Sequence, residues 1–258
     1  MFGTHFYHQR IRKSVATFGA LFNNLNVIRK NAAGNVISTV RVPLAYAPRE
    51  KYLDRIRENP DLEDNTMTAI KLPRMSFEIV NFQYDGTRMV GKTNQFSKAS
   101  PTTVQNRKIF YAGVPYNIFF QLNVYARSHD DALQIVEQIV PYFGPQYNLT
   151  VKPFEDYPEV KEDVPLTLQS TSFSDDFESV LEQRRTIIYT LEFEMKTMFY
   201  GPIGDSKIIR SVQTNFYLQG GTGDSDTHIS AFVTSPDPVN VNADSDYGFN
   251  TTWTDYIG

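Results

Sequence analysis

The sequence predicts an α+β fold, mainly antiparallel sheet flanked by two or three helices, from three observations. Apolar and polar residues alternate with period 2 through long runs, most clearly at 116–124 and 187–195. At 11–25 and 133–140 apolar residues recur at helical spacing instead. With 258 residues and 41% hydrophobic content, the chain can bury a sizeable core as one large or two small domains.

From Arg10 to Leu25, the residues Ile11, Val15, Phe18, Phe22 and Leu25 recur at steps of four and three, which gives a first amphipathic helix. Arg10, Arg12 and Lys13 fall in its first turn, where the helix dipole disfavours cations. An external acidic surface would account for them, and so would plain solvation. "VISTVRVPLAY" (36–46) reads as a strand with Val36, Val40, Val42, Leu44 and Tyr46 on one face, and Pro48 opens a helix in "PREKYLDRIRE". "LPRMSFEIVNFQYD" (72–85) is a further strand, whose phase slip at Ile79 and Val80 fits a bulge or a strand covered on both faces. Residues 85–107 are polar and turn-rich, a long loop or an extended hairpin.

"YNIFFQLNVYAR" (116–127) sets Tyr116, Ile118, Phe120, Leu122 and Val124 on one face, with Asn117, Gln121, Asn123 and Arg127 opposite. "SHDDALQIVEQIVPYF" (128–143) then switches to helical spacing through Leu133, Ile135, Val136, Ile139 and Val140 and stops at Pro141. Ser128 stands at the N-cap and Asp131 three residues on, the spacing of a capping box, while Asp130 and Asp131 suit the positive end of the helix dipole. "VPLTLQSTSF" (164–173), "RRTIIYTLEFEMKTMFYGP" (184–202) and "KIIRSVQTNFYL" (207–218) continue the sheet.

Chemistry-bearing patterns are sparse. Ser128, His129, Asp130 and Asp131 have the residue types of a hydrolase, but neighbours in one helical turn fan outward instead of converging on one point. Glu192 and Glu194 lie beside Lys196 on the polar face of one strand, which reads as solvated surface rather than an acid/base pair. His5 and His8 lack Cys or carboxylate companions, so neither a metal nor a cofactor is expected. "GGTGDSD" lacks the Lys of a phosphate loop and the repetition of a calcium motif, and reads as a linker. No basic patch interleaved with aromatics points to nucleic acid. No apolar run approaches the roughly 18 residues of a membrane span, and the N-terminal stretch has no apolar signal region, so a soluble, unsecreted chain is expected.

The net charge of −4 hides a strong polarity. No Asp or Glu precedes Glu50, whereas Arg10, Arg12, Lys13, Arg29, Lys30, Arg41 and Arg49 do. Residues 219–258 hold Asp224, Asp226, Asp237, Asp244, Asp246 and Asp255 but no Lys or Arg. Such ends can steer partners or copies of the chain into a head-to-tail register, or can be two solvated ends that never meet. Two regions are expected: an α+β domain over 1–218 and an acidic, Gly/Asp-rich tail over 219–258.

Beyond these readings, the chain resembles the tail sheath stabiliser and completion proteins of contractile-tailed phages of the T-even type. The resemblance is carried by "MFG" and "ALFNNLNVIR", by "VRVPLAYAPREKYL" and "LPRMSFEIVNFQYD", by "RRTIIYTLEFEMKTMFYGPI", and most specifically by "DDALQIVEQIVPYFGPQYN". Together these segments span most of residues 1–218. The resemblance implies a tail-terminator-like subunit that is not an enzyme and that assembles as a homo-hexameric ring on the head-proximal end of the tail, in a virion built in the host cytoplasm. Its implied partners are further copies of itself, the tail sheath protein, the tail tube or a tube-capping protein, and neck or head-completion proteins. DNA crosses its lumen without specific binding, and no membrane is involved. Partner contact is expected at Arg10, Arg12, Lys13, Arg29 and Lys30. The alternatives are a baseplate or head-completion component and, more distantly, a hydrolase using Ser128 and His129.

Overall fold

The computed structural model describes residues 5–58, 72–100, 106–176, 186–218 and 227–256. In chain order they form helix α1 (Arg10–Phe22), strands β1 (Asn26–Lys30), β2 (Val36–Arg41) and β3 (Leu44–Tyr46), helix α2 (Arg49–Glu58) and strand β4 (Arg74–Tyr84). After a 3-10 turn at Gly86–Arg88 come β5 (Gln95–Ala99), β6 (Asn106–Tyr111), β7 (Val114–Ala126) and helix α3 (His129–Ile139). The rest is strand: β8 (Tyr147–Val151), β9 (Glu162–Asp176), β10 (Thr186–Phe199), β11 (Gly204–Lys207), β12 (Val212–Leu218), β13 (Thr227–Asp237) and β14 (Gly248–Asp255). The expected mixture of antiparallel sheet and a few helices is what the chain adopts.

Two compact units emerge, one from Tyr7–Met89 and Val114–Phe199, the other from Met1–Phe6, Val90–Gly113 and Tyr200–Gly258. The larger unit is built on a six-stranded sheet in the order β3-β4-β7-β10-β9-β8, antiparallel except for β3 beside β4. One face carries Ile118, Phe120, Leu122 and Val124 of β7 with Leu191, Phe193 and Met195 of β10, and α1 and α3 cover it. Phe18 of α1 is fully buried there, stacked on Phe120 at 4.4 Å between ring centroids and close to Phe77 and Phe193 at 5.2 and 5.4 Å. Such aromatic clusters add about 1 kcal/mol per pair beyond the area they bury. Gly19 lets the helix approach, since a Cβ there would stand 3.1 Å from Phe77 Cζ. The opposite face is covered at one end by α2, where Tyr52, Tyr125 and Ile188 pack together. Tyr125 is fully buried, its hydroxyl 3.0 Å from Ser76 Oγ, and burial pushes its phenol up to about 12.

The smaller unit holds two three-stranded sheets, β11-β6-β5 and β12-β13-β14. Phe96 and Phe110 stack across β5 and β6 at 4.8 Å. Asp244, between β13 and β14, accepts from Ala99 N and Arg107 Nη2 at 2.8 and 2.7 Å, and Arg210 donates to the carbonyls of Val239 and Val241. The β13–β14 connection is thus tied down by side chains from distant parts of its own unit.

Several elements differ from expectation. Helix α1 ends at Phe22, short of Leu25, because the Leu25 carbonyl accepts from Val42 N and the Asn23 carbonyl from Arg41. The single strand expected over 36–46 is two strands in different sheets, since Pro43 has no N–H to give a ladder and its carbonyl accepts from Met75 N instead. The slip in β4 is a bulge: Ile79 faces Phe120 and Asn81 faces Phe119, leaving Val80 unpaired and 62% exposed. Within 85–107 the hairpin reading fits, as β5 pairs antiparallel with β6. The strand expected over 207–218 is likewise divided, between β11 and β12.

The acidic segment 219–258 needs correction as well. It was expected as a tail separate from 1–218, but β13 and β14 form a sheet with β12, so the compact units do not divide at 218. Thr, Phe, Val and Trp in "THISAFVTSPD" and "GFNTTWTD" suit pleated pairing whatever the charge of the segment. The "GGTGDSD" stretch itself lies outside the described residues.

Candidate assembly surfaces

The basic residues expected to meet partners do not form one surface. Arg10 is only 5% exposed. Its Nη2 donates to Glu162 Oε2 and, at 2.8 Å, to Thr197 Oγ1, while Nε donates to the Met198 carbonyl at 3.1 Å. The other Glu162 oxygen accepts from Met198 N, so this pair clamps the start of α1 to β9 and β10. The chain enters the helix through Gln9 at φ 55°, a conformation that costs a non-glycine residue on the order of 1 kcal/mol, and the Arg10 clamp sits immediately after it. Arg10 thus finds an acidic partner within its own chain. Lys13 lies 3.6 Å from Glu155 across a partly open site. Arg12 is exposed on the helix.

Arg29 is also engaged within the chain. Its Nη2 reaches Asp131 Oδ2 at 2.6 Å and its Nε reaches Oδ1 at 3.3 Å, and these bonds raise the Arg29 pKa against the opposing effect of burial. The capping-box expectation changes accordingly. Ser128 occupies the N-cap in extended conformation, yet its hydroxyl makes no capping bond. Asp131 is buried toward Arg29, where the β1–β2 hairpin crosses the first turn of α3. Lys30, one residue on, is exposed on the hairpin.

The residue types that suggested hydrolysis serve packing. The His129 imidazole lies against Phe173 and Tyr189 at 5.6 and 6.2 Å, and Asp130 accepts from Gln134. Glu194 accepts from Asn117 and Gln169, both at 2.6 Å, and Glu192 from Ser170 at 2.8 Å, which locks this carboxylate row into cross-strand hydrogen bonds. His8 stands edge-on to Phe154. Among the described residues no group of three or more His, Asp and Glu could hold a metal, and no helix is long and apolar enough to cross a membrane. A cleft of about 230 Å³ between the ends of α1 and α3, lined by Phe22, Leu25, Tyr142 and Phe143 among others, is smaller than sites that enclose drug-sized ligands.

Among the described residues, apolar sheet surface is exposed at the end of β4 (Val80, Phe82, Tyr84) and, more extensively, on a sheet of the smaller unit and on the hairpin of the larger one. In the smaller unit, the register puts Val212 and Phe216 of β12, Phe232 of β13, and Phe249 and Trp253 of β14 on one face. Phe249 and Trp253 are 71% and 57% exposed, and together with their neighbours they make a contiguous apolar face of the kind that marks interaction sites. In the larger unit, the hairpin β1–β2 buries Val27 and turns Ile28, Lys30 and Val36 outward. The aromatic sheet was not found by sequence reasoning, although the alternation of aromatic and Thr residues in 248–255 was available to reveal it.

These features suit a protein that works through extended surfaces. The chain is 30% identical over 224 residues to "Tail completion protein gp15" of Enterobacteria phage T4, covering 84% of this chain and 80% of the relative. The model of the T4-like virus Myoviridae tail sheath stabiliser family matches residues 5–256, beyond the 1–218 stretch in which the resemblance had been read. The chain therefore belongs to the T4-like Myoviridae tail sheath stabiliser family.

Proposed function

We propose that this protein completes the phage tail by forming a hexameric ring on its head-proximal end, capping tube and sheath, holding the sheath extended and offering a surface to neck and head-completion proteins. The supporting observation is the family match across residues 5–256, joined by the relative named as a tail completion protein. The partners in this reading are other copies of the chain, the sheath protein and the tube or its cap. Arg12, Lys13 and Lys30, which keep exposed or partly exposed charge, are the basic residues left to contact them. A net charge of −4 suits a lumen through which DNA passes without adhering, because phosphate binding rests on Lys and Arg.

The test is electron microscopy of purified protein mixed with tube-and-sheath assemblies lacking it, scoring each end. A six-fold ring at the head-proximal end with sheaths held extended is the expected result. Density at the distal end would replace the reading by a baseplate component, and no bound density at either end would overturn it.

A further inference from the structure

We infer that the aromatic face of β12-β13-β14 in one copy docks on the outward face of the β1–β2 hairpin in a second copy. This inference rests on the ring reading above and names the two surfaces that meet.

The first argument is charge. Strands β12, β13 and β14 contain no Lys or Arg, and neither does any residue from 219 to 258, while Asp237, Asp246 and Asp255 are exposed there. The hairpin is the converse: residues 26–41 include Arg29, Lys30 and Arg41 and no acid. Arg29 is turned to Asp131 within the chain and Arg41 to the Asn23 carbonyl, so Lys30 is the cation left facing outward.

The second argument is apolar area. Lys30 pairs with Val36 across the hairpin and lies two residues from Ile28, giving a patch whose apolar members are 42% and 59% exposed around one cation. Opposite it would stand the face on which Phe216 and Phe232 approach Trp253 to 5.9 and 6.2 Å. Apolar residues cover apolar residues, and the ammonium finds both carboxylates and exposed aromatic rings, the better of which is Trp. Two unlike surfaces on one chain make a heterologous contact, which propagates head to tail and closes a ring when the rotation permits. A symmetric dimer would instead bring acid to acid and base to base, which complementary potentials disfavour.

The chain has no Cys, which makes the contact directly testable. Ile28→Cys and Phe249→Cys, each exposed and outside the main core, are made singly and together, with folding checked by circular dichroism. The proteins are assembled on tails, imaged, and treated with a short bis-maleimide linker. The double variant is expected to give a ladder of covalent multimers, the two single variants together to give one dimer, and each single variant alone to stay monomeric. Lys30→Glu is expected to lower ring occupancy on tails at least several-fold. Rings that form without cross-links, or a single variant that links to itself, would overturn this contact while leaving the ring reading intact. If no ring and no link appear, both fail together.

Discussion

Arg29 and Asp131, 102 residues apart in sequence, meet through two hydrogen bonds of 2.6 and 3.3 Å that fasten the β1–β2 hairpin to the first turn of α3. The carboxylate is 5% exposed and the guanidinium 47%, so the two ends of the pair are not equivalent. Removing the cation strands a buried anion, whereas removing the anion returns a cation to water. Arg29→Ala is expected to destabilise by about 2 kcal/mol, below the 3–5 of a fully buried pair because water reaches the site, and Asp131→Ala by less than that. Denaturant unfolding of both variants decides it, and equal losses would refute the asymmetry.

Ser128 supplies position without a capping bond. Where an N-cap hydroxyl does bond the helix, its loss costs about 1 kcal/mol. Ser128→Ala is therefore expected to change stability by less than about 0.5 kcal/mol, the range of ordinary surface substitutions. A measured loss near 1 kcal/mol would show that the hydroxyl caps α3 in solution.

Two cations of the first helical turn, Arg10 and Arg12, separate by their surroundings. Arg10→Ala leaves Glu162 nearly buried without its clamp and is expected to destabilise by about 3 kcal/mol. Arg12→Glu, on exposed surface, is expected to leave the melting temperature almost unchanged and to act, if at all, on tail binding. Calorimetry of the two variants beside a tail-binding assay separates folding from assembly.

Tyr125 gives a pH dependence whose sign follows from linkage. Its folded pKa, about 12, lies above the ordinary value of 10, so as pH rises the unfolded chain loses this proton first. Its contribution is fully present below pH 10 and is lost between about 10 and 12, amounting to roughly 2–3 kcal/mol. The difference in stability between wild type and Tyr125→Phe, followed across that window, should shrink by about this much. A constant difference would mean that the phenol titrates normally.

The parts of the fold legible in the sequence are those where one periodicity runs unbroken. β7, α3 and β10 each hold a single phase for ten residues or more, so their faces could be assigned before any contact was known. β1 was missed because five residues, with only Val27 buried, carry too little pattern. Pro43 joins two strands whose apolar residues happen to stay in phase, which made them look like one. In 219–258, acidic and Gly/Asp-rich composition was read as a tail, while the Thr and aromatic content that makes strands went unweighed. The surface was harder than the fold. Arg10 is a cation without a nearby acid in sequence, and its partner Glu162 stands 152 residues away, so composition alone could not say whether the anion belonged to this chain or to another.

The two units do not follow one another along the chain: residues 90–113 of the smaller interrupt the larger, whose last strand ends at Phe199. Synthesis from the N-terminus therefore delivers every segment of the larger unit before β11 emerges to pair with β6. The aromatic strands β12, β13 and β14 come last. On the ribosome the exposed aromatic sheet thus appears only after every segment of the larger unit's core has been made, so a chain that joined a second copy through that sheet, as proposed above, would have a built-in delay between folding and joining.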